Sequence, residues 1–293
     1  MKNLYICNVS SNFVSKVNLD EYKEEKIYLS TDEKLLGTHG IDISNNKLYV
    51  AANDNFNFYE VDTEGNNLRK YYIGMLTNDL KINDKYMYLI CSENNCLIVY
   101  HMTEHRLCYE ITCGNYPHSM DMFKENKLIC VTNMHNNELT IVNYDTNEFV
   151  RKIRTGNLPM KSKFYKNGRH VFVCESNLGC DVEGTFSVYD TDTGERCKSI
   201  TLSKSPIDMF VDYEDNTIFV SNHLGKCVSI IDLNEFKEIS RIDILGTPRG
   251  IYKIGRFLYV VVNDISKLLK YDMYTKNKEY IELGSDPTCI YCY

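Results

Sequence analysis

Short runs of alternating apolar and polar residues recur along the whole chain, each closed by a polar turn. A period of two is the mark of a strand with two different faces. One set of runs begins at Leu4, Leu48, Met87, Leu128, Val171, Ile218 and Leu258, at intervals of 39 to 47 residues. A second run follows each of these and commonly ends in Asp, as in Phe58-Tyr59-Glu60-Val61-Asp62, Phe186-Ser187-Val188-Tyr189-Asp190 and Val228-Ser229-Ile230-Ile231-Asp232. A third run leads to a Gly, from Arg69 to Gly74, Val150 to Gly156, Ile239 to Gly246 and Lys278 to Gly284. A fourth element opens the next unit, as in Tyr116-Pro117-His118-Ser119-Met120-Asp121 and Thr247-Pro248-Arg249-Gly250-Ile251.

Seven units of about 40 residues, each with four short strands, predict an all-β, seven-bladed β-propeller of antiparallel blades, a single domain over residues 1–293. Blades buried on both faces explain the dominance of β-branched and aromatic residues in the runs. The first unit starts at its second strand, Leu4–Cys7, and lacks an inner one. Residues 286–293 have the character of the missing strand. The C-terminal segment is therefore expected to complete the first blade and close the ring, which removes the end caps that an open solenoid needs.

The units resemble YVTN-type repeats. The signature strand stands here as Tyr5-Ile6-Cys7-Asn8, Tyr49-Val50-Ala51-Ala52-Asn53, Cys130-Val131-Thr132-Asn133 and Phe219-Val220-Ser221-Asn222. The family's Asp-Thr…Thr-Gly segment stands as Asp190-Thr191-Asp192-Thr193-Gly194, and its Gly-x-x-Pro start as Gly114-Asn115-Tyr116-Pro117 and Gly156-Asn157-Leu158-Pro159. The resemblance covers essentially the whole chain and implies the propeller, while its members include binding proteins and enzymes. The third unit departs from the pattern, with Thr77-Asn78-Asp79 where Pro is expected and His101 where Asp is expected.

Forty acidic residues against 33 basic ones give a net charge of -7. Proteins that coat a phosphate backbone are usually basic, so nucleic acid is not the expected partner. No run approaches the 18 apolar residues of a membrane span. The N-terminus reads as a strand rather than a signal peptide. A cytoplasmic, monomeric protein is expected, with its 12 cysteines mostly reduced. Residues three apart on a strand face opposite ways, so Cys289 and Cys292 are badly placed to share a metal or a disulfide.

Inner strands of a propeller start at the top face, and the loop after the second strand returns there. His39, His118, His135 and His223 fall at that mouth, and Arg249 holds the same repeat position as His39 and His118. Glu175, like Asn133 and Asn222, ends a second strand. Imidazoles beside a cation and a carboxylate suit either ligand binding or general acid–base work. Alternate positions of the inner strands add Asp42, Asp79, Asp121, Lys161 and Asp208, together with Lys81 and Lys163. These form either a polar channel for a small charged ligand or an inter-blade set in which carboxylates accept from backbone N–H groups of the next blade.

Two functions follow from this arrangement. The preferred expectation is a non-catalytic module that binds a small ligand, peptide or protein at the top face, with no cofactor and no metal. The other is a lyase or lactonase using His39, His118 and Glu175. Pro117-His118-Ser119 resembles the Pro-His loops of streptogramin lyases, which implies a Mg-assisted site. The chain lacks the Trp-rich strands of those enzymes, and the second strand of the His118 unit, Val131-Thr132-Asn133, carries no Glu.

Overall fold

The computed structural model describes residues 2–31 and 35–293. Among the described residues there are 28 strands and no helix, and thus no helix able to cross a membrane. The strands form seven four-stranded antiparallel sheets. Six sheets are consecutive in sequence, and the seventh places Pro287–Cys292 beside Asn3–Asn8. The predicted closure is what the structure shows. The register runs Leu4 opposite Cys292, Tyr5 opposite Tyr291 and Ile6 opposite Ile290. Each inner strand also packs against the inner strands of both neighbouring blades, around to Pro287–Cys292 against Thr38–Ser44.

The alternation seen in the sequence becomes the packing rule of the ring. Tyr5 and Cys7 turn toward the second blade and join Ile41, Leu48 and Val50. Leu4 and Ile6, one position off, turn the other way and meet Tyr259, Val261 and Leu268 of the last blade. One apolar cluster fills each of the seven gaps between blades. A one-residue slip would swap these faces, so the register is strongly specified. Cys289 and Cys292 follow the same rule and pack into different gaps. The cysteines are free thiols.

The irregular units keep their contacts by other chemistry. Where Pro is replaced, Thr38 Oγ1 accepts from Asn8 N–H at 3.0 Å and donates to Asn8 O at 2.9 Å. Thr77 Oγ1 likewise accepts from Ala52 N–H at 3.1 Å. Each hydroxyl staples an inner strand to the preceding blade. Asp232 closes its turn by accepting from the N–H groups of Asn234 and Glu235. In the third unit His101 takes that part, its Nδ1 accepting from Glu104 N–H at 3.1 Å.

Candidate functional site

One residue in six of the seven repeats shapes the top of the channel: the residue after the leading Pro or Thr of the inner strand. In five inner strands the pairing register shifts at this point, between Thr38 and Ile41, Pro117 and Ser119, Pro159 and Lys161, Pro206 and Asp208, and Pro248 and Ile251. A bulge leaves a residue without a direct partner and re-aims its side chain. The residues so placed are His39, His118, Met160, Ile207 and Arg249, joined by Thr288 of the closing strand, and all six line one cavity of about 70 Å³. Asp79, Ser119, Lys161, Asp208 and Cys289, one residue further along their strands, also line it. At Gly250 a Cβ would stand 2.5 Å from Thr288 O, so that position must be Gly for the last blade to approach the closing strand.

The sequence reading brought His39, His118 and Arg249 to a common mouth. It did not single out Met160, Ile207 or Thr288, although their offset from Pro159, Pro206 and Pro287 is the same. Apolar side chains at that offset carried no chemical flag.

The His39 and His118 rings meet edge to face, centroids 5.5 Å apart. His118 Nδ1 lies 2.9 Å from Met160 O, and since a carbonyl only accepts, Nδ1 donates. Desolvation in the mouth holds His118 down to about 4, with Arg249 and Lys161 adding to the effect and the Met160 carbonyl and Asp79 opposing it. His39 is pushed well below its usual range by burial, then by His118, Arg249 and Lys161. Both rings are therefore neutral at pH 7. Lys161 pairs with Asp208 at 3.5 Å, and that carboxylate is the main cause of its raised pKa. Arg249 differs from its neighbours: its Nε is buried without a hydrogen-bond partner.

The carboxylates of the inner strands are mostly committed to the frame. Ile82 N–H donates to Asp42 at 2.8 Å, Met120 N–H to Asp79 at 3.0 Å and Phe164 N–H to Asp121 at 2.8 Å. Each of these bonds joins one inner strand to the next, which is the inter-blade arrangement weighed from the sequence. Asp208 is the exception, because it faces Lys161.

Besides Asp42 and Asp121, three more sequence candidates stand apart from the cavity. His135 is exposed and stacks on Tyr116, centroids 4.5 Å apart. His223 sits beside the mouth with Nδ1 3.3 Å from Pro248 O, and burial followed by the nearby Arg249 lowers its pKa. Glu175 is 2% exposed and belongs to its own blade. Its carboxylate accepts from Gly156 N–H at 2.8 Å, from Ser187 Oγ at 2.9 Å and from Tyr189 Oη. Asn133 occupies the same position in its blade, with Gly114 N–H donating to its Oδ1 and its Nδ2 donating to Thr140 Oγ1. Glu175 is thus a variant of the latch at the end of the signature strand, and the expectation that it faces the mouth is corrected. Glu175→Ala would strand a hydroxyl pair and a buried N–H. The expected loss of stability is about 2–4 kcal/mol, with Glu175→Gln costing less. Urea unfolding of both variants checks this, and a loss below about 0.5 kcal/mol would contradict the latch.

The donor set does not fit a Mg²⁺ ion. Mg²⁺ takes oxygen ligands, whereas the mouth offers two imidazoles and two cationic side chains, with Asp79 occupied by N–H groups and Asp208 by Lys161 and Met209 N–H. Among the described residues, the three potential metal ligands with donor atoms within 4.8 Å of one another are His170, Asp190 and Cys197, outside this cavity. Asp190 there already binds Arg169 Nε and two turn N–H groups.

No family model matches the chain, and no curated protein matches it significantly in sequence. Solved structures do match in fold. A functionally unknown protein from Desulfotomaculum acetoxidans aligns with TM-score 0.79 at 13% identity, over 98% of both chains. Kuenenia stuttgartiensis hydrazine synthase aligns with TM-score 0.77 at 15% identity, over 89% of this chain and 91% of that one. A putative 6-phosphogluconolactonase from Bacteroides fragilis aligns with TM-score 0.76 at 13% identity, over 100% of this chain and 98% of that one. At such identities the likeness is one of fold.

Proposed function

We propose that the chain is a non-catalytic propeller of the YVTN type that binds a small anionic molecule in the mouth of its channel. The observation that carries this reading is Arg249, a guanidinium recessed in the mouth with its Nε buried and unpartnered. A buried cationic donor without a partner is costly, and an incoming anion offsets that cost. Lys161 pairs with Asp208 at 3.5 Å, whereas Asp286 and Asp208 act on Arg249 only through their charge. A cavity of about 70 Å³ suits a small molecule better than a peptide side chain with its backbone.

Arg249→Gln should weaken anion binding by about 10- to 100-fold, the worth of a charge-assisted hydrogen bond. Calorimetric titration with propionate and sulfate, with propionamide as the neutral control, measures it. Equal binding by the variant, or a neutral amide that binds as well as the acids, would remove the basis of the proposal.

A second reading, a metal-assisted lyase or lactonase, draws on the neutral state of His39 and His118, the form of imidazole that ligates metals. Arg249 and Lys161 beside them oppose a cation. Added Mg²⁺ or Zn²⁺ is expected to leave the melting temperature unchanged. A rise of several degrees that disappears in the double variant His39→Ala/His118→Ala would favour this second reading instead.

A further inference from the structure

We propose that the occupant of the mouth is a short hydroxycarboxylate, its carboxylate on Arg249 and its hydroxyl donating to Nε2 of His118. This rests on the anion-binding reading above and narrows it to a chemical class.

The tautomer of His118 decides what the mouth can accept. Nδ1 is held by the Met160 carbonyl at 2.9 Å, which only a donating nitrogen satisfies. Burial in the recess disfavours a second proton on the ring, and Arg249 and Lys161 add to that against the opposing Asp79. The ring is therefore neutral, and Nε2, on the side away from the Met160 carbonyl, keeps a lone pair. His118 lines the cavity, and in the proposed complex that lone pair meets the entering molecule. A plain carboxylate brings only acceptors and meets the lone pair with its own. A hydroxyl on the same small molecule supplies the missing donor.

Among the described residues, the two hydroxyls of the cavity lining are already engaged. Ser119 Oγ pairs with Thr132 Oγ1 at 3.1 Å, and Thr288 Oγ1 faces Cys7 O at 3.5 Å. The order of blades then sets the shape of the ligand. Between His118 in the fourth blade and Arg249 in the seventh stand Met160 and Ile207, one from each intervening blade. A ligand bridging the two polar ends lays its carbon atoms against these two apolar side chains. A cavity of about 70 Å³, at roughly 10–15 Å³ for one water, holds a handful of waters or one acid of about three to five carbons.

Matched pairs of acids test this at pH 7.5 on the full chain: lactate against propionate, and 3-hydroxybutyrate against butyrate, each titrated by calorimetry. At least one hydroxy acid should bind about tenfold more tightly than its deoxy partner. His118→Leu, its fold checked by circular dichroism, should erase that preference while carboxylate binding persists. Deoxy acids that bind as tightly as their hydroxy partners, with binding still lost in Arg249→Gln, would overturn the hydroxycarboxylate and leave the anion site standing. Absence of binding by all four acids would overturn both. Should His118→Leu fail to fold, the comparison of the pairs on the unaltered protein still decides.

Discussion

A chain lacking residues 286–293 is expected not to fold as a closed ring. The closing strand contributes Tyr291 and Cys289 to one inter-blade cluster and Ile290 and Cys292 to the next. It also carries backbone bonds that no other segment supplies, from Asn3 N–H to Tyr293 O, from Tyr293 N–H to Asn3 O and from Val9 N–H to Asp286 O. Without it the first blade becomes a three-stranded sheet with a bare inner edge, and two apolar clusters open to water. The total stability of a domain is about 5–15 kcal/mol, and losing a buried strand with its ladder consumes several of these. The exposed edge would then template pairing with other copies. The expected outcome is loss of the cooperative thermal transition together with aggregation on size-exclusion chromatography. A synthetic peptide of residues 285–293 should restore a measurable transition in trans. A truncated chain that stays monomeric and melts within a few degrees of the full chain would show that closure by this strand is dispensable.

Acidification from pH 7.5 to 5 should destabilise the protein through the paired histidines. His118 is held at about 4 in the folded chain against an ordinary value of 6.5, and His39 is lowered too. Between those values the unfolded chain binds protons that the folded chain refuses, so stability falls as pH falls. The contribution is fully present above about pH 6.5 and is lost progressively toward pH 4. By pH 5 the His118 share amounts to at most about 2 kcal/mol, and His39 acts in the same direction. The carboxylates lowered by their turns, such as Asp190 and Asp272, respond at lower pH and leave this window to the histidines. Urea unfolding at pH 7.5 and pH 5, compared with His39→Gln/His118→Gln, isolates the effect. The double variant should lose less stability than the parent, and equal slopes would remove the mouth histidines as its source. A bound anion should oppose the loss, since negative charge beside the rings favours their protonated form.

The candidate site was legible only in part. His39, His118 and Arg249 could be aligned because each follows the opening residue of a repeat, and their chemistry drew attention to the offset. Met160 and Ile207 share the offset without the chemistry, and they form the wall on which the proposed ligand rests. Glu175 has the chemistry without the offset. Its place at the end of a second strand looked open to the mouth, yet the adjacent Ser187, Tyr189 and Gly156 turn its carboxylate into the blade. Strand ends mark a face of the ring but not the direction in which the last side chain points. That direction depends on which hydrogen-bond partners lie across the sheet.

Repetition and the two-residue period settled the seven sheets, their order and the return of the tail to the first blade. Those features follow from local alternation, which any single unit displays and the other six confirm. Which carboxylates serve the frame and which cationic side chain keeps a nitrogen without a hydrogen bond was decided only by folding. Asp42, Asp79 and Asp121 find backbone donors in a neighbouring blade roughly 40 residues away in sequence, while Arg249 finds no partner for its buried Nε. Pairings of this kind depend on distances between blades, and those distances are set by the packing of the ring as a whole.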